Sequence, residues 1–178
     1  MLPKQELLAL STPSQQAKII HEIAALLTGR GWLLASAESC TGGLVAAACT
    51  DVAGSSLWFE RGFVCYSNAA KTELLGVPAA LIEQHGAVSG AVVRAMAEGA
   101  LAHSRAQASL AVTGIAGPAG GTPEKPVGMV CLAWAQRDGG CEALTCHFGG
   151  NRAEVREQAT RIALSGALKR VMAATLMA

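Results

Sequence analysis

The chain has 178 residues, 51% of them apolar and 15% charged, with a formal net charge of +1. That balance predicts one globular domain spanning residues 1–178 and excludes disorder, while the lack of any Lys/Arg cluster excludes nucleic acid as a main partner. No run of 18 or more apolar residues and no signal-peptide pattern at the start are present, so neither membrane insertion nor secretion is expected.

Residues 1–10 read as a loose N-terminal arm. Thr12-Pro13-Ser14-Gln15 reads as a helix start, with Thr12 as N-cap, Pro13 at the first helical position and Gln15 closing a capping box. Ile20, Ile23, Ala24 and Leu27 continue that helix, which Gly29 or Gly31 ends. Gly31 to Ala35 is a short apolar run that reads as a buried strand. Ala37-Glu38-Ser39-Cys40-Thr41-Gly42-Gly43 follows, and a helix is expected from about Thr41 to Asp51. Gly54-Ser55-Ser56 is a turn, and Trp58 to Tyr66 is rich in β-formers. Ser67-Asn68 starts a short helix carrying Lys71, Leu74 and Leu75, stopped by Gly76. Pro78 to Gln84 is a second short helix. Ser89 caps a longer one with Val92, Val93, Met96, Ala97, Ala100 and Leu101 on its inner face. Ala108 to Thr113 is a buried strand, and Gly114 to Pro126 is a Gly/Pro-rich loop. Strands at Val127–Ala135 and Glu142–Phe148 are joined by a turn at Asp138-Gly139-Gly140. The last helix starts at Asn151, with Glu154 completing a capping-box variant and Val155, Ala159, Ile162, Ala163, Gly166 and Ala167 as its packing stripe. Strands alternating with helices predict an α/β layered sandwich, and the short turn near the C-terminus makes the sheet mixed.

The six cysteines contain no C-x-x-C pair, and four lie in apolar runs. Buried free thiols in a reducing cytoplasm are expected, and no metal site is. Polar residues cluster where strands end: around Ser39, from Tyr66 to Lys71, after Thr113, and at Phe148 to Arg152. In open α/β sheets such ends face ligands.

Ser39 is a candidate nucleophile that needs a base. Cys40 is a rival, since a helix N-terminus favours thiolate, but it also reads as a small buried thiol. Lys71 reads as a solvated helix residue or, if desolvated, as a base, and a Tyr66–Lys71 pair can relay a proton. Glu38 reads as a ligand for a substrate hydroxyl or amine, or as an arginine partner. The N–H groups from Cys40 through Thr41 and Gly42 to Gly43 read as an oxyanion or phosphate site. The loop from Gly114 through Gly117 to Gly121 reads as a phosphate cradle or an ordinary mobile loop, and Arg152 as an anion clamp.

Taken together, A-E-S-C-T-G-G at Ala37 to Gly43, W-F-E-R-G-F-V-C-Y-S-N-A-A-K at Trp58 to Lys71, H-G-A-V-S at His85 to Ser89, T-G-I-A-G-P-x-G-G at Thr113 to Gly121 and K-P-V-G at Lys125 to Gly128 resemble the CinA C-terminal domain family. The resemblance covers about Leu7 to Leu176 and is to that family's stand-alone form, the nicotinamide-nucleotide amidases. It implies a three-layer α/β/α sandwich on a mixed, mostly parallel sheet. It implies hydrolysis of nicotinamide mononucleotide to nicotinate mononucleotide and ammonia in pyridine nucleotide recycling, with no cofactor. Ser39 is then the nucleophile, with Tyr66 and Lys71 as its base system, similar to serine β-lactamases without their S-x-x-K spacing. Thr113, Gly114 and the following glycines would contact the nucleotide, and Arg152 its phosphate. The family's N-terminal domain, with its metal-dependent chemistry, is not expected. Small size, apolar content and the resemblance point to a homo-oligomer. The alternative is a non-catalytic nucleotide-binding or regulatory module.

Overall fold

The computed structural model describes residues 13–176, so the expected arm and the Thr12 cap lie outside the described residues. Six helices and five strands follow in the order α1 (Pro13–Arg30), β1 (Leu34–Glu38), α2 (Leu44–Thr50), β2 (Phe59–Val64), α3 (Asn68–Leu75), α4 (Ala79–His85), α5 (Gly90–Ala102), β3 (Ala108–Gly114), β4 (Met129–Gln136), β5 (Gly140–His147) and α6 (Arg152–Leu176). The strands form one sheet in the order β2-β1-β3-β4-β5. β1 pairs in parallel with β2 and β3, while β4 is antiparallel to both β3 and β5. Thus β1, β2, β3 and β5 run one way and β4 the other, which makes the sheet mixed and mostly parallel.

Alternation along the central strands divides the core into two. Leu34, Leu110, Val112, Leu132 and Trp134 face Ile23 and Leu27 of α1, Val45 of α2 and Val155, Ala159 and Ile162 of α6. Ala35, Ala37, Ala111, Cys131 and Ala133 face Leu75 of α3, Ile82 of α4 and Val92, Val93, Met96 and Ala97 of α5. β1 is buried at every residue because both of its faces are covered, the reason its sequence does not alternate. The small residues of α6 allow close approach: a Cβ on Gly166 would fall 2.2 Å from the Trp134 ring, whose Nε1 donates to Ala163 O. The result is the three-layer sandwich.

The expected caps form. Ser67 accepts from Ala70 N–H and Ser89 from Val92 N–H. Several boundaries differ from expectation. β1 starts at Leu34 rather than Gly31, because α1 closes through Gly31 and Trp32, whose N–H groups donate to Thr28 O and Leu27 O. α2 starts at Leu44 rather than Thr41, because Gly42 and Gly43 have φ of 60° and 99°, outside helical space. A 3₁₀ turn occupies Ser55–Leu57 before β2. Val127 and Phe148 fall outside β4 and β5; instead Gly128 bridges them, donating to Ile115 O and accepting from Phe148 N–H. All six cysteines are free thiols, and among the described residues no helix is long and apolar enough to cross a membrane.

Candidate active site

The ends of β1, β2 and β3 and the start of α6 meet at one edge of the sheet, as expected from their polar residues. A cavity of about 200 Å³ opens there between Ser39, Cys40, Tyr66, Lys71, Thr113 and Arg152. Ser39 extends β1 by one bond, its N–H donating to Val112 O, and the chain then turns sharply through Gly42, whose N–H donates back to Ser39 O.

Glu38 is the last residue of β1 and its side chain points under α2. Oε2 accepts from Gly43 N–H (3.0 Å) and Val45 N–H (3.1 Å), and Oε1 from Ala46 N–H (2.9 Å). Ser36 Oγ adds a longer bond at 3.4 Å. The carboxylate is fully buried and caps the positive end of α2 where Gly43 has no side chain to do so. It is not on the cavity wall, and among the described residues no arginine pairs with it. It also uses Gly43 N–H, so neither Gly42 nor Gly43 offers a free donor. The N–H of Cys40, by contrast, has no backbone acceptor among the described residues and belongs to a residue on the wall.

Lys71 lies in the second turn of α3 and only 1% of it is exposed. Its Nζ lies 3.2 Å from Ser39 Oγ. It also donates to the carbonyls of Cys65 (3.2 Å) and Tyr66 (3.1 Å), with Ser67 O at 3.5 Å. No carboxylate pairs with it among the described residues, and burial lowers its pKa below the ordinary lysine value. The solvated reading of Lys71 therefore fails. Cys40 is driven the other way: burial raises its thiol to about 12, which keeps it protonated. A lysine at Oγ and a thiol held neutral favour Ser39 over Cys40 as nucleophile.

Tyr66 reaches this pair through its backbone. Its carbonyl takes the Lys71 bond and lies 3.5 Å from Ser39 Oγ. The residue is 63% exposed, and its hydroxyl accepts from Arg152 Nη2 at 3.1 Å. The phenol is hydrogen-bonded to neither Ser39 nor Lys71, so the expected Tyr–Lys proton relay is not assembled. Arg152 also donates from Nη1 to Gly117 O (2.9 Å), which spans the guanidinium across the cavity mouth. Thr113 and Gly114 line the cavity, Thr113 Oγ1 donating to Ala87 O. Thr41 is buried behind the loop, and its Oγ1 has no partner among the described residues.

Two residues escape a reading of the sequence. Asn68 lines the cavity one helical turn before Lys71, a spacing that offers a signal. Arg156 reaches back from α6 to the carbonyls of Cys40 (3.1 Å) and Thr41 (2.8 Å), and nothing local to either segment announces that contact. Among the described residues no group of three or more His, Cys, Asp or Glu could hold a metal.

The family model for the CinA C-terminal domain matches residues 16–171. The nicotinamide-nucleotide amidohydrolase PncC of Enterobacter agglomerans is 53% identical over 148 residues, covering 83% of this chain and 90% of that protein. A CinA-like protein of Mycolicibacterium vanbaalenii is also 53% identical, but this chain spans only 35% of its length. The crystal structure of the competence/damage inducible protein CihA of Agrobacterium tumefaciens superposes with a TM-score of 0.87 at 43% identity, covering 91% of this chain and 98% of that one.

Proposed function

The chain belongs to the CinA C-terminal domain family, and from that premise we propose that it is a nicotinamide-nucleotide amidohydrolase acting by serine acyl transfer. The observation that carries the reading is the 3.2 Å contact between Lys71 Nζ and Ser39 Oγ inside a cavity open at the strand ends. The name of a relative that matches this chain almost end to end supports the substrate class. The preferred substrate is nicotinamide mononucleotide, with Arg152 meeting its phosphate at the mouth.

The mechanism follows from the charges. Desolvation favours the neutral amine of Lys71, which takes the Ser39 proton as Oγ attacks the carboxamide carbon. The oxyanion draws on Cys40 N–H. The lysine ammonium returns its proton to the departing nitrogen, and ammonia leaves an acyl-serine. Water, deprotonated by the same amine, attacks the ester, releasing the carboxylate and restoring the Ser39 hydroxyl. Tyr66 contributes its carbonyl to hold Lys71 and its phenol to hold Arg152.

The test is ammonia release from nicotinamide mononucleotide by the wild type and by Ser39→Ala. The wild type is expected to turn over and the variant to lose at least about 10³-fold in kcat while still binding the nucleotide. For the wild type, kcat/KM should climb with pH as Lys71 loses its proton and level off above a midpoint lower than that of an ordinary lysine. Ligand binding by both proteins with ammonia from neither would leave a nucleotide-binding module.

A further inference from the structure

Arg156 lies behind the Ser39 loop, outside the cavity wall, and its fork grips two successive backbone carbonyls: Nε that of Cys40 and Nη2 that of Thr41. In a trans peptide the C=O and N–H of one unit point in opposite directions. Fixing Thr41 O therefore fixes the direction of Gly42 N–H, which donates to Ser39 O at 3.1 Å. Fixing Ser39 O in turn fixes Cys40 N–H, which faces away from that bond and has no backbone acceptor among the described residues. Two rigid peptide units thus connect a guanidinium to the first amide after the nucleophile.

We infer that Arg156 is a positioning residue that sets the oxyanion donor at Cys40, an inference that rests on the acyl-transfer reading above. The two-pronged grip requires a planar fork: a lysine offers a point charge that cannot hold two carbonyls of adjacent units in fixed directions. A donor that matters only when charge develops on oxygen should affect the transition state and leave ground-state binding alone.

The experiment compares wild type, Arg156→Lys and Arg156→Met. It reads steady-state kinetics with nicotinamide mononucleotide, calorimetric binding of nicotinate mononucleotide, and inhibition by pyridine-3-boronic acid, which forms a tetrahedral adduct with a reactive serine. Arg156→Met should lose about 10- to 100-fold in kcat, less than direct removal of an oxyanion donor, with KM and product affinity within about twofold. Boronate affinity should fall in step with kcat, and Arg156→Lys should lie between. A kcat within about twofold of wild type, or a lower kcat with intact boronate affinity, overturns the role. If Arg156→Met shows no cooperative melt, Arg156→Lys decides by the same readouts. A wild type that releases no ammonia overturns the acyl-transfer reading and this role with it; an active wild type beside fully active variants overturns this role alone.

Discussion

Two helices begin at the same edge of the sheet, and they solve the same electrostatic problem in different ways. α6 is capped by its own neighbours: Asn151 Oδ1 accepts from Ala153 and Glu154 N–H, and Glu154 Oε2 accepts from Asn151 N–H at 2.7 Å. All of this is exposed and local. α2 is capped from beneath by Glu38, a buried carboxylate of the preceding strand that takes three backbone N–H groups. The local cap leaves the end of α6 adaptable at the cavity mouth. The buried cap locks the start of α2 and uses up the donors that would otherwise bind an anion there. The loop carrying Ser39 thus hangs between two fixed points, the Glu38 cap and the Arg156 fork.

The strongest way to break this contrast is Glu38→Ala. It leaves three N–H groups near a helix start without acceptors and opens a cavity, so it should cost at least about 3 kcal/mol of stability and most of kcat. Urea unfolding with an unchanged m-value measures the loss. A cost of about 1 kcal/mol, as for an ordinary exposed cap, would mean that the buried cap is no different in kind.

Glu38→Gln sharpens the point by keeping the shape. The amide oxygen can still serve the Gly43 and Val45 N–H pair, but its NH₂ then faces Ala46 N–H, and the charge opposite the helix dipole is gone. The expected cost is about 1–3 kcal/mol by the same unfolding measurement. A cost equal to that of Glu38→Ala would assign the whole effect to the carboxylate's charge and acceptors; none would assign it to packing.

The contrast also explains what the sequence disclosed. The α6 cap, the Ser67 and Ser89 caps and the glycine stops depend on residues within one turn of each other, and local pattern reading found them. The convergence of strand ends follows from α/β topology and was equally legible. The role of Glu38 was not, because α2 starts three residues later than Thr41 and only then do its N–H groups come over the strand end. Local pattern left Lys71 open between a solvated helix residue and a base, and only the family resemblance favoured the base, since nothing in its own helix reveals that it is buried. The Tyr66 phenol turns to Arg152, and Arg156 meets Cys40 from far along the chain; both depend on how separate segments pack.

Asn151→Ala is the smallest expected effect and tests the adaptable side of the comparison. The cap accepts two N–H groups at the surface, and α6 retains its long buried stripe, so the loss should be about 1 kcal/mol, or about 2–4 °C in Tm. Its functional consequence should differ from that of Glu38. Arg152 is the first residue of α6, and its guanidinium reaches Gly117 O and Tyr66 OH only while that first turn is formed. Fraying there loosens the arginine at the mouth without moving Ser39, Lys71 or Cys40. KM for nicotinamide mononucleotide should therefore rise modestly with kcat unchanged, whereas Glu38→Gln should lower kcat. If Asn151→Ala lowered kcat as strongly as Glu38→Gln, the two helix starts would be acting as one unit, and the division between a mouth that binds and a loop that reacts would fail.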